Sequence, residues 1–248
     1  MRNYYYFSMK YLIEYINEYL FPDIKKLPDT ESELNSYYHR PEEINLLIGD
    51  ITIDRFDSDD EWCENRWRRG EFKDPVDALA AYSHACVYDI QTRLRKGCPN
   101  HNDTQYLELL RDLSEHKKIN SVLYRVIDSR SIIKNHKTLN IGDVLIDKGF
   151  CSCSSDPRGI YEYMDAGGNV PYWLFIINPK QSVNYIDVNK TAKQEKSVDY
   201  AIKKFANQHE IILLPTTKMT VTDIKDSYLK NTKKIKKIFE VDLIQESI

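Results

Sequence analysis

The sequence predicts an α+β domain built from two packed, mainly antiparallel β-sheets with flanking helices. Three observations support this fold class. The chain has 248 residues, 42% of them hydrophobic, which is enough for one large domain with an extension. Apolar residues follow a helical period up to about residue 117 and a period of two afterwards. The predicted strands then lie close together along the chain, which favours antiparallel sheets over alternating β–α–β units.

Residues 1–70 are predicted to form a helical N-terminal extension with an irregular linker. Apolar residues recur at helical spacing over residues 8–20, and two prolines then interrupt the pattern. Pro41 opens a second short helical run that Gly49 closes. Residues 71–248 are predicted to form the main domain.

The main domain is predicted to begin with helices. Asp74 and Pro75 form a strong helix start, with the aspartate as N-cap and the proline in the first turn. This helix is predicted to end at Gly97, and a second one follows over Thr104–Lys117. Two short helices are predicted later, over Pro157–Ala166 and Val198–Ala206.

Seven segments of the main domain are typical of strands. The nearly continuous apolar run Trp173–Ile177 predicts a central strand that is buried on both faces. The predicted strands are Ser121–Ile127, Asp143–Ser154, Pro171–Asn178, Val183–Val188, His209–Pro215, Lys218–Lys225 and Lys236–Ile244.

Composition argues against several classes of function. A net charge of −3 and a pI near 6.1 give no general attraction to nucleic acid. The five cysteines contain no CxxC pair, so a metal site is not expected, and a reducing compartment is the simpler interpretation. No segment has the ~20 apolar residues that a membrane-spanning helix needs. The N-terminus does not resemble a cleavable secretion signal.

Two strands carry charged groups that suggest chemistry. Gln208 and Glu210 are two residues apart at the start of a buried strand, so alternation predicts that both point to one face. A solvated edge strand is the alternative. Arg125 lies in the middle of an apolar strand, where its charge needs either a bound anion or a protein carboxylate. A guanidinium suits phosphate because it can bind two oxygens at once.

A third strand is rich in hydroxyl groups. Ser152 and Ser154 share a strand face, and because no G-x-S-x-G elbow is present, a positioning role is favoured over a nucleophilic serine. A half-exposed edge strand is again the alternative. His209-Glu210 lacks the second histidine of H-E-x-x-H, and neither G-x-G-x-x-G nor a Walker loop occurs.

Taken in chain order, these motifs resemble a known family. Tyr124-Arg125, then Phe150-x-Ser-x-Ser, then Gln208-x-Glu entering Ile-Ile-Leu-Leu-Pro resemble the arginine–serine–glutamate class of mono-ADP-ribosyltransferase toxins. Within that class the closest resemblance is to the clostridial Rho-modifying exoenzymes. The resemblance covers roughly residues 74–245 and includes the helix from Tyr82 to Gly97.

The resemblance implies a fold and an activity. It implies the ADP-ribosyltransferase fold and an enzyme that cleaves the nicotinamide–ribose bond of NAD, without a metal, and transfers ADP-ribose to a target protein. Family members with Gln-x-Glu typically modify asparagine on Rho-type GTPases, so Gln208 implies a non-arginine acceptor such as asparagine on a small GTPase. The alternatives are an NAD glycohydrolase, a guanine-directed transferase (made less attractive by the acidic pI), and an inactive binding module. The expected place of action is the cytosol of a host or target cell, as for an injected effector or a viral protein.

The resemblance also implies roles for individual residues. Glu210 would stabilise the charge that develops on the ribose, Ser152 would hold Glu210, and Gln208 would face the acceptor. Arg125 would grip the pyrophosphate of NAD. Further contacts with NAD are implied for Arg158, Arg95, Gln91, Tyr82, Ser154 and Tyr161, with Tyr163 as the alternative to Tyr161. Two positions depart from the family pattern, Cys153 for threonine and Gln91 for asparagine.

Overall fold

The computed structural model of the protein describes residues 42–46, 72, 74–82, 87–129, 138–166, 171–194, 202–203, 206, 208–226 and 235–244. The strands are β1 (Glu43–Asn45), β2 (Glu115–Lys118), β3 (Leu123–Asp128), β4 (Val144–Asp147), β5 (Cys151–Ser154), β6 (Tyr172–Pro179), β7 (Ser182–Asp187), β8 (Glu210–Leu213), β9 (Thr217–Asp226) and β10 (Ile235–Ile244). The helices are α1 (Pro75–Tyr82), α2 (Val87–Lys96), α3 (His101–Asp112), α4 (Pro157–Ala166) and α5 (Val188–Gln194).

The strands form one sheet, in the order β1-β4-β9-β10-β6-β3-β5-β8-β7-β2. Two pairs, β1 with β4 and β10 with β6, are parallel, and the rest are antiparallel. The predicted α+β character is confirmed. The prediction of two sheets is wrong, because hydrogen bonds connect all the strands into one sheet. A single residue pair, Tyr124 with Ser154, continues the ladder from β3 to β5 and so joins what would otherwise be two sheets.

The main hydrophobic core contains side chains from both sides of this junction. Phe175 of β6 and Phe239 of β10 stack with ring centroids 5.1 Å apart. They belong to the same buried cluster as Ile211 and Leu213 of β8. The sheet therefore curves around one shared core. The prediction for Trp173–Ile177 is confirmed, because β6 lies between two neighbouring strands and is buried over this run.

Helices cover the outer faces of the sheet. Helices α1 to α3 bury apolar residues against Phe150 and Ile212, next to β5 and β8. Helix α4 places Ile160 and Met164 against β3 and β6. The first group of helices therefore lies over the strands that carry Ser152 and Glu210.

The predicted helix boundaries near residue 74 and residue 97 are confirmed. The carboxylate of Asp74 accepts a hydrogen bond of 2.8 Å from the backbone N–H of Asp77, as an N-cap does. Gly97 ends α2 with φ of 69°, a left-handed conformation that glycine adopts without strain. Residues 83–86, between α1 and α2, lie outside the described residues.

The predicted helix Thr104–Lys117 is too long. Helix α3 ends at Asp112, where the Ser114 hydroxyl donates to the carbonyl of Arg111 at 2.7 Å. Glu115–Lys118 then form β2, which pairs with β7. A strand partner that is distant in sequence overrides the local helical pattern here.

The predicted helical run that starts at Pro41 is wrong over residues 43–45. These residues form β1 and pair with β4, which places Ile44 and Leu46 in the main core. A spacing of two is the period of a strand, and the predicted helical run did not take it into account. Residues 1–41 and 47–71 of the predicted extension lie outside the described residues, so the domain boundary at residue 70 stays a prediction.

Smaller differences concern single elements. The predicted strand Asp143–Ser154 is two strands, because the Asp147 side chain accepts the N–H of Gly149 at 3.0 Å and turns the chain. Helix α4 matches its prediction, whereas α5 was not predicted. Residues 202–203 and 206 are helical, and the rest of the predicted helix Val198–Ala206 lies outside the described residues. None of the helices described is long and apolar enough to cross a bilayer.

Candidate active site

Strands β5 and β8 bring the predicted serine and glutamate together. In their antiparallel register Ser154 is opposite Glu210, and Ser152 is opposite Ile212. Because opposite residues point to the same face, Ser152, Ser154 and Glu210 share one face, beneath helices α1 and α2. Cys151 and Cys153 point to the other face and lie in the main core, as alternation predicts.

Tyr82 at the end of α1 binds Ser152. The two hydroxyl oxygens are 2.5 Å apart, and the ring packs edge-on against Phe150 with centroids 5.4 Å apart. Burial, together with the nearby charge of Glu210, raises the pKa of Tyr82 well above its usual range. The phenol is therefore protonated at neutral pH and can donate to Ser152, which leaves the serine hydrogen for Glu210.

Glu210 is half-buried at the start of β8. Burial raises the pKa of this carboxyl from its ordinary 4.5 to about 7, and a hydrogen bond with Ser152 opposes part of the rise. A hydrogen bond lowers a carboxyl pKa when it is donated to the ionised form, so Ser152 acts as the donor. Tyr82, Ser152 and Glu210 therefore form a hydrogen-bonded series, in which two hydroxyl groups lead to the carboxyl of Glu210. This carboxyl changes its charge near neutral pH.

A buried aspartate, Asp147, binds two arginines close to Tyr82. Arg95 of α2 donates to both carboxylate oxygens, with Nε–Oδ1 at 2.9 Å and Nη2–Oδ2 at 3.2 Å. Arg125 of β3 joins through Nη2, which lies 3.1 Å from Oδ2. Asp147 is fully buried and both arginines are less than a tenth exposed. Two positive charges therefore share one negative charge in the interior.

Arg125 keeps one nitrogen for a further partner. Among the buried side-chain nitrogen and oxygen atoms of the described residues, Nη1 of Arg125 is the one without a hydrogen-bond partner. Such an atom is costly unless something binds it. The charges of Arg125 and Glu210 also both act on one phenol, that of Tyr82.

Gln91 and Arg95, both predicted to contact NAD, are engaged within the protein. The amide of Gln91 binds the Phe150 backbone twice, accepting from its N–H at 2.7 Å and donating to its carbonyl at 3.0 Å. Arg95 also donates to the Phe150 carbonyl at 3.3 Å. These contacts fix the residue before β5. The predicted contacts of Gln91 and Arg95 with NAD stay predictions.

Two other predicted NAD-binding residues also have partners in the protein. The hydroxyl of Ser154 lies 2.7 Å from the carbonyl oxygens of Asp156 and Gln208, so it supports the turn before β8. Arg158 is exposed and pairs with the Asp156 carboxylate. Neither residue contacts the group around Tyr82 in a described hydrogen bond. The side chain of Tyr161 lies outside the described residues.

Gln208 does not belong to the strand. It lies in the turn before β8, and His209 between it and Glu210 has φ of 53°. Left-handed backbone breaks the alternation of a strand. The prediction that Gln208 and Glu210 share a strand face is therefore wrong, because only Glu210 of the two is in the strand. The role of Gln208 toward an acceptor stays a prediction.

Sequence reasoning missed Asp147 and Gly149. An aspartate that ends the apolar run Val-Leu-Ile-Asp is the signal that could have identified a buried carboxylate. Gly149 is needed for space: a Cβ there would lie 2.2 Å from Gln91 Oε1 and 3.0 Å from Arg95 Nε.

We expect Gly149→Ala to lower the free energy of unfolding by about 2 kcal/mol, because the new methyl group must displace packed Gln91 and Arg95. The matched control is Gly97→Ala, where a Cβ meets nothing within 4 Å and only the positive φ costs energy, about 1 kcal/mol. Urea denaturation measures both. A Gly149→Ala protein as stable as the Gly97→Ala protein would contradict the close packing described for Gln91 and Arg95.

Comparison with known proteins gives a result at the level of structure. No family model matches the chain, and no curated protein matches its sequence. Plx2a, an ADP-ribosyltransferase toxin from Paenibacillus larvae, superimposes with a TM-score of 0.50 at 15% identity, over 75% of this chain and 92% of Plx2a. The Clostridium limosum C3 exoenzyme matches with a TM-score of 0.46 at 14% identity, over 84% and 100% of the two chains. Vis toxin, an ADP-ribosyltransferase from Vibrio splendidus, matches with a TM-score of 0.45 at 14% identity, over 79% and 90%. The protein thus shares its fold with the ADP-ribosyltransferase toxin Plx2a.

Proposed function

We propose that this chain is an NAD-dependent mono-ADP-ribosyltransferase that modifies a target protein. The observation that carries the proposal is that the charges of Glu210 and Arg125 both act on the buried Tyr82, while Nη1 of Arg125 has no hydrogen-bond partner among the described residues. NAD has a positive nicotinamide ring at one end and a negative diphosphate in its middle. A carboxylate and a buried arginine whose charges both act on one tyrosine are complementary to that charge pattern. The shared fold with Plx2a supports the same reaction class.

The proposed reaction breaks the bond between nicotinamide and ribose. Nicotinamide leaves as a neutral molecule, and positive charge develops on the ribose carbon and ring oxygen. The Glu210 carboxylate stabilises that charge, with Ser152 and Tyr82 holding it in place; such preorganised stabilisation is commonly worth several kcal/mol. The acceptor nitrogen then forms the new bond to the ribose carbon and releases one proton.

The ionisation state of Glu210 fits this role. A pKa of about 7 means that the free site holds the carboxyl partly protonated at neutral pH. A cation placed next to a carboxyl favours its ionised form, so the nicotinamide ring of NAD would itself complete the ionisation. The carboxylate would then be fully charged when the glycosidic bond breaks.

For the acceptor we propose asparagine on a small GTPase in the cytosol of a host or target cell. Gln208 supports a non-arginine acceptor, because a neutral amide can pair with an amide but supplies no second carboxylate to activate a guanidinium. NAD hydrolysis, with water as acceptor, is the second candidate, because the group around Tyr82 would serve both reactions equally. The group Glu210, Ser152 and Arg125 disfavours an inactive binding module, and the net charge of −3 disfavours a guanine acceptor in nucleic acid.

Gln208→Ala separates transfer from hydrolysis. We expect the variant to release nicotinamide from NAD at the wild-type rate but to lose at least about tenfold in transfer of label to protein, since the role proposed for the amide is toward the acceptor. The assay adds labelled NAD to a host lysate and identifies the modified residue by mass spectrometry. Gln181→Ala, an exposed glutamine in another turn, is the matched control. Label on arginine, or unchanged transfer by Gln208→Ala, would refute the proposed acceptor.

A further inference from the structure

The arginine–carboxylate cluster below Tyr82 carries a net positive charge. Arg95 and Arg125 contribute two positive charges and Asp147 one negative charge, and all three are buried. A single carboxylate and a single arginine in the interior would neutralise each other through a two-pronged contact. The second arginine prevents this and leaves one positive charge in excess.

The distances show that Asp147 forms its two-pronged contact with Arg95. The guanidinium of Arg95 binds both carboxylate oxygens side by side. Arg125 lies against Oδ2 through Nη2, and its Nη1 has no hydrogen-bond partner within the described part of the chain. The backbone holds this arrangement, because Gly149 donates to Oδ1 and the Phe150 carbonyl accepts from Arg95.

We infer that Arg95 and Asp147 are positioning residues that act on the diphosphate of the dinucleotide through Arg125, with Arg95 occupying Asp147 so that Arg125 stays available to the anion. The inference rests on the proposed function for the identity of the dinucleotide. It differs from a direct contact between Arg95 and NAD. Arg95 controls anion binding by competing with Arg125 for the same carboxylate.

Two thiols also lie next to Arg125, and Cys151 acts on the charge of Arg125 more strongly than Asp147 does. Cys151 and Cys153 lie on the same side as Arg125, with their sulfur atoms 3.6 Å apart. The hydrogen bond from Cys153 is the main cause that lowers the pKa of Cys151, and the charge and side chain of Arg125 lower it further. Cys151→Ser removes any thiolate next to Arg125 and is expected to leave anion binding within about twofold of wild type.

The test is a suppressor experiment on binding of inorganic pyrophosphate, measured by calorimetry on the full chain. In Arg95→Met, Asp147 is free to take Arg125 in a two-pronged contact, so we expect pyrophosphate binding to weaken at least about tenfold, as for the loss of one charge-assisted hydrogen bond. Adding Asp147→Asn removes the competing carboxylate and should restore binding to within about threefold of wild type. If Arg95 contacted the anion directly, Asp147→Asn would strengthen binding by the same factor with and without Arg95, so the single variant Asp147→Asn is measured beside the double variant.

Two further variants keep the test decisive. Arg93→Met removes another arginine of the same helix. Arg93 pairs with the buried Asp103, with Nε–Oδ2 at 2.7 Å, and its loss should leave pyrophosphate binding unchanged. Arg95→Lys is the milder change to the fold. It keeps the charge but cannot bind both oxygens as a fork, so we expect about threefold weaker binding. Wild-type binding by Arg95→Lys, or no recovery in the double variant, would overturn the inference.

Enzyme kinetics separate this inference from the proposed function. In Arg95→Met the KM for NAD should rise about tenfold while kcat stays near the wild-type value, because Glu210 is untouched. If wild type binds pyrophosphate with the expected variant pattern but does not cleave NAD, the proposed function fails and the inference stands for the diphosphate-binding group alone. If NAD is cleaved and the KM of Arg95→Met is unchanged, the inference fails alone.

Discussion

Replacing Glu210 by glutamine is expected to lower the rate of nicotinamide release from NAD by about 10³-fold, the usual effect of removing one preorganised group that stabilises transition-state charge. Glutamine has the size of glutamate and can still accept the hydrogen bond from Ser152. It cannot supply the negative charge that opposes the charge on the ribose. The loss should therefore appear in kcat and in kcat/KM alike, with the KM for NAD little changed.

The stability of the same variant provides the control for its folding. The pKa of Glu210 is about 7 in the fold against an ordinary 4.5, so the protonated carboxyl is the form that the fold favours. Its stabilisation is present below pH 4.5 and is lost as the pH rises through 7, at a cost of about 3 kcal/mol. Glu210→Gln should therefore unfold at a higher temperature than wild type at pH 8 and at the same temperature at pH 4. An inactive variant that is also less stable at pH 8 would point to misfolding.

The activity of the wild-type enzyme should rise with pH. Because only ionised Glu210 stabilises the ribose charge, kcat/KM for NAD should increase about tenfold per pH unit from pH 5 and level off above a pKa of about 7. The rise between pH 5 and pH 8 is then about a hundredfold. The raised pKa of Tyr82 keeps the phenol protonated over this range. Ionisation of Tyr82 is therefore not expected to lower kcat/KM below pH 9.

The profile of kcat provides an internal check on this assignment. The nicotinamide ring stabilises the ionised carboxyl in the complex, so the kcat profile should level off at lower pH than the kcat/KM profile. Initial rates of nicotinamide release in buffers of constant ionic strength give both curves. A flat kcat/KM profile between pH 5 and pH 8 would show that Glu210 does not titrate in the step that limits the reaction.

Local signals in the sequence were sufficient for several elements of the fold. The start of α1 at Asp74 and the end of α2 at Gly97 depend on residues that are neighbours in the chain, and both predictions are confirmed. The buried run Trp173–Ile177 identifies the central strand by its own composition. By contrast, β2 and β1 are stable only through pairing with strands that are distant in sequence, and there the helical predictions failed.

The candidate site divides in the same way. Strand alternation was enough to predict that Ser152 and Ser154 share a face, and the register of β5 with β8 adds Glu210 to it. Asp147 was missed because its importance depends on α2 bringing Arg95 to the end of β4. A single left-handed residue, His209, invalidated the alternation argument for Gln208. Contacts between elements that fold together from distant segments are not encoded in local periodicity.

The most direct measurement compares the release of nicotinamide and the transfer of labelled ADP-ribose from NAD to lysate protein by wild type and by Glu210→Gln at pH 8. If Glu210 stabilises the ribose charge, the wild-type protein does both, and the variant, folded and more stable, does both about 10³-fold more slowly. Equal activity of the two proteins would contradict the central role of Glu210, and a wild-type protein that releases no nicotinamide and transfers no label would contradict the enzymatic function itself.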